Sequence, residues 1–210
     1  MTRSLTVAVL GAFLVACQGS TPAATTPSPI PSPRTTVTAA VLQQSETPKG
    51  LGACAGSGPI AGYLTKLRAA DSALGLVMTL RWQQLQAKGA DDAAISVYGD
   101  GGAACTSELG VTTTFKAVAS FVAIFKDEGQ AERAWASGVL GFVPPAPDQV
   151  APGLVRGTTT GLGVSSWTYD RPTVRIACWR RSVFVALVVL TNLEVADFKT
   201  VTTTIDARLN

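Results

Sequence analysis

The spacing of apolar residues changes along the chain between the period of a helix and the period of a strand. Apolar side chains recur three and four positions apart over residues 59–88, which predicts helix with a break near Asp71. Residues 111–125 alternate apolar and polar positions instead, which predicts a half-buried strand. Asp127 follows as a helix cap, and Gly138 is placed to end that helix.

The C-terminal third of the chain contains three strand-like runs and then another helical pattern. The predicted strands cover 163–169, 173–179 and 182–190, and the final helix covers 193–208. The third run is apolar on both faces, which is typical of a central strand. Arg180-Arg181 is the predicted hairpin turn, and Asn192 is the predicted cap of the last helix. Consecutive antiparallel strands with helices predict one α+β domain, with a mainly antiparallel sheet and helices packed on one face.

The chain opens with the features of an export signal. Arg3 precedes an apolar core, residues 5–15, that is too short to span a bilayer, which takes about 20 apolar residues. Leu14-Val15-Ala16-Cys17 closes this core and resembles the lipobox of bacterial lipoproteins. The resemblance implies cleavage after Ala16, diacylglycerol on Cys17, and acylation of the new N-terminus by a chain such as palmitate. Membrane lipid is therefore an expected partner, on the extracytoplasmic side of the cell membrane.

Composition divides the remaining chain into two parts. Residues 17–50 are rich in Thr, Ser, Ala and Pro and contain half of the 12 prolines, which predicts a lipidated Cys followed by a disordered tether. Residues 51–210 have enough length for one domain with its own core. The predicted boundaries are therefore 1–16 for the signal peptide, 17–50 for the lipidated tether and 51–210 for the globular domain.

Charge and residue types narrow the chemistry of the predicted domain. Only Arg3, Arg34 and Lys49 of the 17 Lys and Arg, and only Glu46 of the 14 Asp and Glu, precede Leu51. The domain is therefore nearly neutral, and no nucleic-acid partner is expected. The chain has no His, which rules out Ser-His-Asp, Cys-His and His-based zinc sites. No metal site, cofactor or catalytic set is expected.

Three cysteines remain after the predicted processing, namely Cys54, Cys105 and Cys178. Cysteines outside the cytoplasm tend to pair, and three of them allow one disulfide and one free thiol. Cys54 and Cys105 both lie in Gly- and Ala-rich loop sequence, which favours the Cys54–Cys105 pair. Cys105–Cys178 is the alternative, although Cys178 shares a predicted strand face with Val174 and Ile176. The chain has no CxxC pair, so a thioredoxin-type site is not expected.

Four groups of residues are candidates for a binding site, and each has a structural interpretation that the sequence favours. Gly161-x-Gly163 lacks the rest of a phosphate-loop pattern and predicts a turn. An acidic group is either a weak cation site or a set of caps and turns. A basic and aromatic group is either a binding edge or an exposed hairpin tip with a packed Trp. Three other tryptophans are either ligand platforms or core. The acidic group is Asp91, Asp92 and Asp100, the basic group is Arg175, Arg180 and Arg181 with Trp179, and the tryptophans are Trp82, Trp135 and Trp167.

Residues 121–209 resemble small extracytoplasmic lipoproteins and sensor-type domains of actinobacteria and similar bacteria. The resemblance rests on residues 125–131, on the Gly161-Leu162-Gly163 turn and on Arg180-Arg181-Ser182 before an apolar strand and a last helix. Val164 stands where these proteins usually have Asp. The resemblance implies an α/β sandwich of the PsbP-like kind. Its motifs are structural turns, so no functional residue is carried over.

These observations together predict a membrane-anchored, non-catalytic binding or accessory module of the cell envelope. The predicted domain would act through the open face of its sheet or through a cleft beside it. One alternative is a structural or interaction protein of the envelope without a small ligand. Another is a hydrolase that uses carboxylates or Ser and Lys in place of His.

Overall fold

The computed structural model describes residues 35–102, 105 and 115–209. These residues form five α-helices and one eight-stranded sheet. The helices are α1 (Val37–Ala40), α2 (Ile60–Ala70), α3 (Ser72–Ala87), α4 (Glu128–Ser137) and α5 (Val195–Asp206). The strands are β1 (Gly52–Ala53), β2 (Gly58–Pro59), β3 (Ala90–Gly99), β4 (Ala117–Phe125), β5 (Leu154–Arg156), β6 (Ser166–Arg171), β7 (Val174–Arg181) and β8 (Phe184–Thr191).

All strand pairs are antiparallel, in the order β1-β3-β4-β8-β7-β6-β5, and β2 also pairs with β3. The predicted central strand is confirmed, because β8 lies between β4 and β7 and every one of its residues is buried. The predicted helix over residues 59–88 is two helices that meet at Asp71, whose side chain accepts a hydrogen bond from the Leu74 N–H. Asp127 caps α4 and Gly138 ends it, as predicted.

Two local predictions are wrong by a few residues. The hairpin between β7 and β8 turns at Ser182-Val183, with Ser182 at φ 51°, whereas Arg180 and Arg181 still belong to β7. The last helix is capped by Glu194 with Asp197 in a capping box, and not by Asn192, which stands in the left-handed region at φ 52°.

The α+β class and the antiparallel sheet are confirmed, but helices cover both faces of the sheet. One core lies between the sheet and α2, α3 and α4, and the other lies between the sheet and α1 and α5. β4 shows the reason, because Phe121 faces the first core while Val118 and Val122 face the second. A strand that is apolar on both sides must pack against other elements on both faces of the sheet. The prediction of helices on one face only is therefore wrong.

The predicted tether over residues 17–50 is corrected at its C-terminal end, because the domain begins before Leu51. The side chains of Val37, Val41 and Leu42 are buried in the second core. The Thr36 side chain accepts a hydrogen bond from the Ala39 N–H and caps α1. A short apolar run is hidden here by the Thr- and Pro-rich composition around it. The predictions for residues 1–34 lie outside the described residues.

A buried polar network holds this N-terminal segment against the sheet. The Tyr98 hydroxyl donates to the Leu42 carbonyl at 3.0 Å, and the Leu42 N–H donates to Ser120 Oγ at 2.9 Å. Ser120 Oγ lies 2.8 Å from Ser96 Oγ. Burial raises the pKa of the Tyr98 hydroxyl, which keeps the phenol protonated as the donor in this network. Both polar groups of the Leu42 backbone are thus satisfied inside the core.

Candidate functional site

The predicted lipidation site, Cys17, lies outside the described residues. Within the described part of the chain, no helix has both the length and the apolar content needed to cross a membrane.

Cys54 and Cys105 form a disulfide, with their Cα atoms 5.5 Å apart. The predicted pair is confirmed, and the Cys105–Cys178 alternative is wrong. The bond connects the segment between β1 and β2 to the chain that follows β3. Cys178 lies inside β7, where its side chain is fully buried in the first core. It is therefore a core residue and has no access to Cys105.

The Cys178 thiol should resist modification in the folded protein. Burial raises its pKa well above the ordinary value, so almost no thiolate forms at pH 8. In a chain that carries Cys17→Ala, a thiol reagent should label one cysteine, and only at the rate of unfolding. The same chain with Cys178→Ala should take up no label in denaturant. Rapid labelling of the native protein would show that β7 does not bury this side chain.

The predicted basic edge is not a free cationic surface, because each of its arginines is paired. Alternation along β7 sends Arg180 to one face of the sheet and Arg181 to the other. Arg180 Nε lies 2.6 Å from Glu132 Oε2 on α4. Arg181 makes two hydrogen bonds to Asp206 on α5, at 3.0 and 2.5 Å.

Two further members of the basic group are buried. Trp179 is fully buried, and its Nε1 donates to Asp206 Oδ1 at 2.9 Å. Arg175 lies 2.8 Å from Asp170 and also donates to the Leu193 carbonyl. The favoured interpretation of a packed Trp is confirmed. Arg180 and Arg181 attach α4 and α5 to the sheet rather than form an exposed hairpin tip, and Arg175 links β7 to β6.

The acidic group is not brought together. Asp91 and Asp92 lie at the start of β3, and Asp100 follows its end, about 25–30 Å away along an extended strand. Asp100 Oδ1 accepts a hydrogen bond from the Lys116 N–H at 2.9 Å, which joins the end of β3 to the start of β4. In the described part of the chain, no three His, Cys, Asp or Glu side chains lie close enough to hold a metal ion.

The Gly161-x-Gly163 pattern forms the predicted turn. Both glycines have positive φ angles, 79° and 103°, which L side chains rarely adopt. Thr160 Oγ1 accepts a hydrogen bond from the Leu162 N–H and closes the turn before β6.

Two of the predicted tryptophans line a surface pocket of about 350 Å³, which we call the Trp–Pro pocket. Its walls are mainly apolar and come from α4, the loop that follows it, β5 and β6. Its lining residues are Trp135, Pro144, Pro145, Pro147, Arg156, Gly157, Val164, Ser166 and Trp167. Trp135 is half-buried and Trp167 is buried, so both serve the core and the pocket wall.

The polar atoms of the Trp–Pro pocket are of two kinds. Ser166 Oγ is already bonded to backbone carbonyls, and the terminal guanidinium nitrogens of Arg156 hold the carbonyls of Pro147 and Gln149. Trp167 Nε1 and Arg156 Nε, in contrast, are buried donors with no acceptor among the described residues. A buried donor is normally satisfied, so these two are exceptions. Neither nitrogen is accessible to solvent, so both lie behind the surface of the pocket.

Trp82 lies at a second surface groove of about 530 Å³, between α2 and α3. These two helices pack so closely that a Cβ at Gly75 would lie 2.6 Å from the Arg68 Cα, and glycine at position 75 makes this approach possible. The groove is mainly apolar, and α3 beside it exposes Leu76, Val77 and Leu80, which we call the apolar ridge. The exposed fractions of the two leucines are 54% and 51%.

No family model matches this chain, and neither a curated protein nor a solved structure matches it. The resemblance of residues 121–209 to extracytoplasmic lipoproteins therefore stays a prediction.

The sequence interpretation missed two surfaces. The proline cluster at 144–147 has no helical or strand period and predicts a loop, yet Pro144, Pro145 and Pro147 line the pocket beside Trp135 and Trp167. The helical spacing over residues 59–88 includes Val77 and Leu80 and predicts that they face the core, whereas both are exposed in the structure. The signal for it is present in α3, which is apolar on both its faces and has Arg81 as its one charged residue.

Proposed function

We propose that this chain is a lipid-anchored extracytoplasmic lipoprotein whose domain is a non-catalytic binding or accessory module of the cell envelope. The location is supported by the signal-like residues 1–16 and by the lipobox ending at Cys17. Since Val37 is already buried in the second core, at most 19 residues, 18–36, separate Cys17 from the domain, and their extended length is at most about 65 Å. The module would therefore work close to its membrane.

The Trp–Pro pocket is the observation that carries the binding role. Helices cover both faces of the sheet, which favours a cleft beside the sheet over an open face as the binding surface. Mainly apolar walls with a few polar groups are typical of ligand sites. Trp rings stack against flat ligand faces, and Trp135 at the pocket wall is only half-buried. The flat face of a sugar ring in an envelope glycan suits such a wall.

An interaction protein without a small ligand is the second candidate, and the apolar ridge favours it. Exposed apolar patches on a folded domain mark contacts with proteins or membranes. A chain of this kind would need no pocket, and its Trp–Pro pocket would hold only water.

Replacing Cys17 with Ala should abolish lipid attachment, because the thiol accepts the diacylglyceryl group. The measurement is metabolic labelling with a fatty-acid analogue, together with fractionation of membranes. Cys178→Ala is the matched control and should label as the unmodified chain does. Lipid labelling and membrane retention that survive Cys17→Ala would contradict the lipobox assignment.

Protein released from membranes by detergent should carry a bound ligand or partner that native mass spectrometry detects. Val164→Asp places a charge at the pocket rim without touching the core, since this side chain is 73% exposed. It should reduce ligand occupancy several-fold, whereas Val150→Asp, at an exposed loop position, should not. Recovery of an empty monomer from the unmodified chain would contradict the binding role.

A further inference from the structure

The exposed surface of α3 is unusual because it is apolar where a helix of a water-soluble domain is normally polar. Gly75, Met78, Trp82 and Leu85 face inward, so α3 already has a complete core stripe. The apolar ridge lies on the other side of the same helix, and its three residues are spaced as neighbours on one helical face. Packing within the domain therefore does not account for the ridge.

The charges on the two helices of the α2–α3 hairpin are almost all positive. Over residues 60–88 the cationic side chains are Lys66, Arg68, Arg81 and Lys88, and the single acidic one is Asp71. The Asp71 carboxylate is engaged in capping α3. Lys66 and Lys88 are exposed, one on each helix of the hairpin. Apolar side chains flanked by Lys and Arg match an interface with anionic lipid headgroups.

The chain between Cys17 and the domain is long enough for the α2–α3 hairpin to reach the anchoring bilayer. α1 packs in the second core, on the face of the sheet opposite α2 and α3, although α1 and α2 both contact β2 and β3. The 19 residues 18–36 span at most about 65 Å when extended. This exceeds the diameter of a domain of this size, about 40 Å, so the position of α1 does not prevent the hairpin from meeting the membrane.

We infer that the α2–α3 hairpin is the membrane-facing surface of the domain and that it binds anionic phospholipid. The apolar ridge enters the headgroup region, and the flanking lysines meet lipid phosphates. This inference rests on the proposed lipid anchoring for its biological setting, but the surface itself acts without the lipid on Cys17. It gives the domain a fixed orientation, in which a lipid anchor and a protein surface share the attachment.

The test uses the mature chain 17–210 with Cys17→Ser, which has no lipid. Vesicles of phosphatidylglycerol and phosphatidylcholine should bind it in a flotation assay, and pure phosphatidylcholine should bind it at least about tenfold more weakly. Binding should fall as salt is raised, because the lysine contribution is screened. Leu76→Ser with Leu80→Ser should lower the partition coefficient about tenfold or more, since these are the side chains that enter the interface.

Matched control variants distinguish binding through this surface from nonspecific adsorption to vesicles. Val150→Ser with Val195→Ser changes two exposed valines elsewhere and should leave binding intact. Lys66→Gln with Lys88→Gln should weaken binding to anionic vesicles, whereas Lys126→Gln with Lys199→Gln should not. Circular dichroism confirms that each variant is folded.

Two results would overturn the inference. One is equal binding to anionic and neutral vesicles, or none to either. The other is a dimer in sedimentation that Leu76→Ser with Leu80→Ser dissociates, which would make a second copy the occupant. Because the tested chain is unlipidated, failure here leaves the Cys17 labelling result unaffected, and failure of that labelling leaves vesicle binding measurable.

Discussion

Replacing Leu42 with Ala should destabilise the domain by about 2–5 kcal/mol, the range for truncating a fully buried leucine. The Leu42 side chain is 1% exposed and lies in the second core, under a backbone that Tyr98 and Ser120 hold in place. Because this backbone is bonded on both sides, the segment cannot collapse easily into the space that the missing methyl groups leave. Urea unfolding followed by tryptophan fluorescence gives the free-energy change.

The control for this prediction is Ser45→Ala, an exposed position in the same N-terminal segment. It should change the free energy of unfolding by no more than about 0.5 kcal/mol. A chain that begins at Leu51 should lose more stability than Leu42→Ala, because it also loses Val37 and Val41 from the core and Glu46 from its ion pair with Arg208. If the shortened chain is as stable as the full domain, residues 35–50 are a dispensable tether.

Removing the disulfide with Cys54→Ala and Cys105→Ala should lower the free energy of unfolding by about 4 kcal/mol. The bond joins residues 51 positions apart, and the loss of loop-closure constraint on the unfolded chain accounts for this magnitude. For a domain of this size that is a large part of the total stability. Denaturant unfolding of the variant and the parent, both without reductant, measures the difference.

Reducing agent provides the matched comparison. It should destabilise the parent chain to about the level of the double variant and should leave the double variant unchanged. Cys178→Ala keeps the disulfide, so reductant should still destabilise it. A double variant that remains sensitive to reductant would place the disulfide elsewhere.

The candidate surfaces were only partly predictable. Trp135 and Trp167 were correctly placed in the core, yet a core residue also forms a pocket wall when an irregular loop stops short of covering it. That gap depends on the path of residues 138–153, where proline and glycine leave no period to interpret. Arg180 and Arg181 of β7 show the reverse case, because the sequence offers them as an exposed basic edge and the structure pairs them. Their partners, Glu132 and Asp206, lie 48 and 25 positions away in the chain, so no local pattern reveals them.

Local patterns were sufficient to predict the α+β class, the central strand β8 and the two-helix hairpin. The hydrophobic period, the helix caps and the glycines that end helices all depend on residues close together in the chain. The sequence ending at Cys17, which resembles a lipobox, is also a local signal, and the function proposed from it rests on sequence. Composition alone misplaces the start of the domain, because the mainly apolar residues 37–42, inside a Thr- and Pro-rich segment, gain their stability from Tyr98, Ser120 and the sheet. Which faces the helices cover, which cysteines pair and which leucines of α3 remain exposed depend on contacts between residues distant in the chain, and only the assembled structure supplies them.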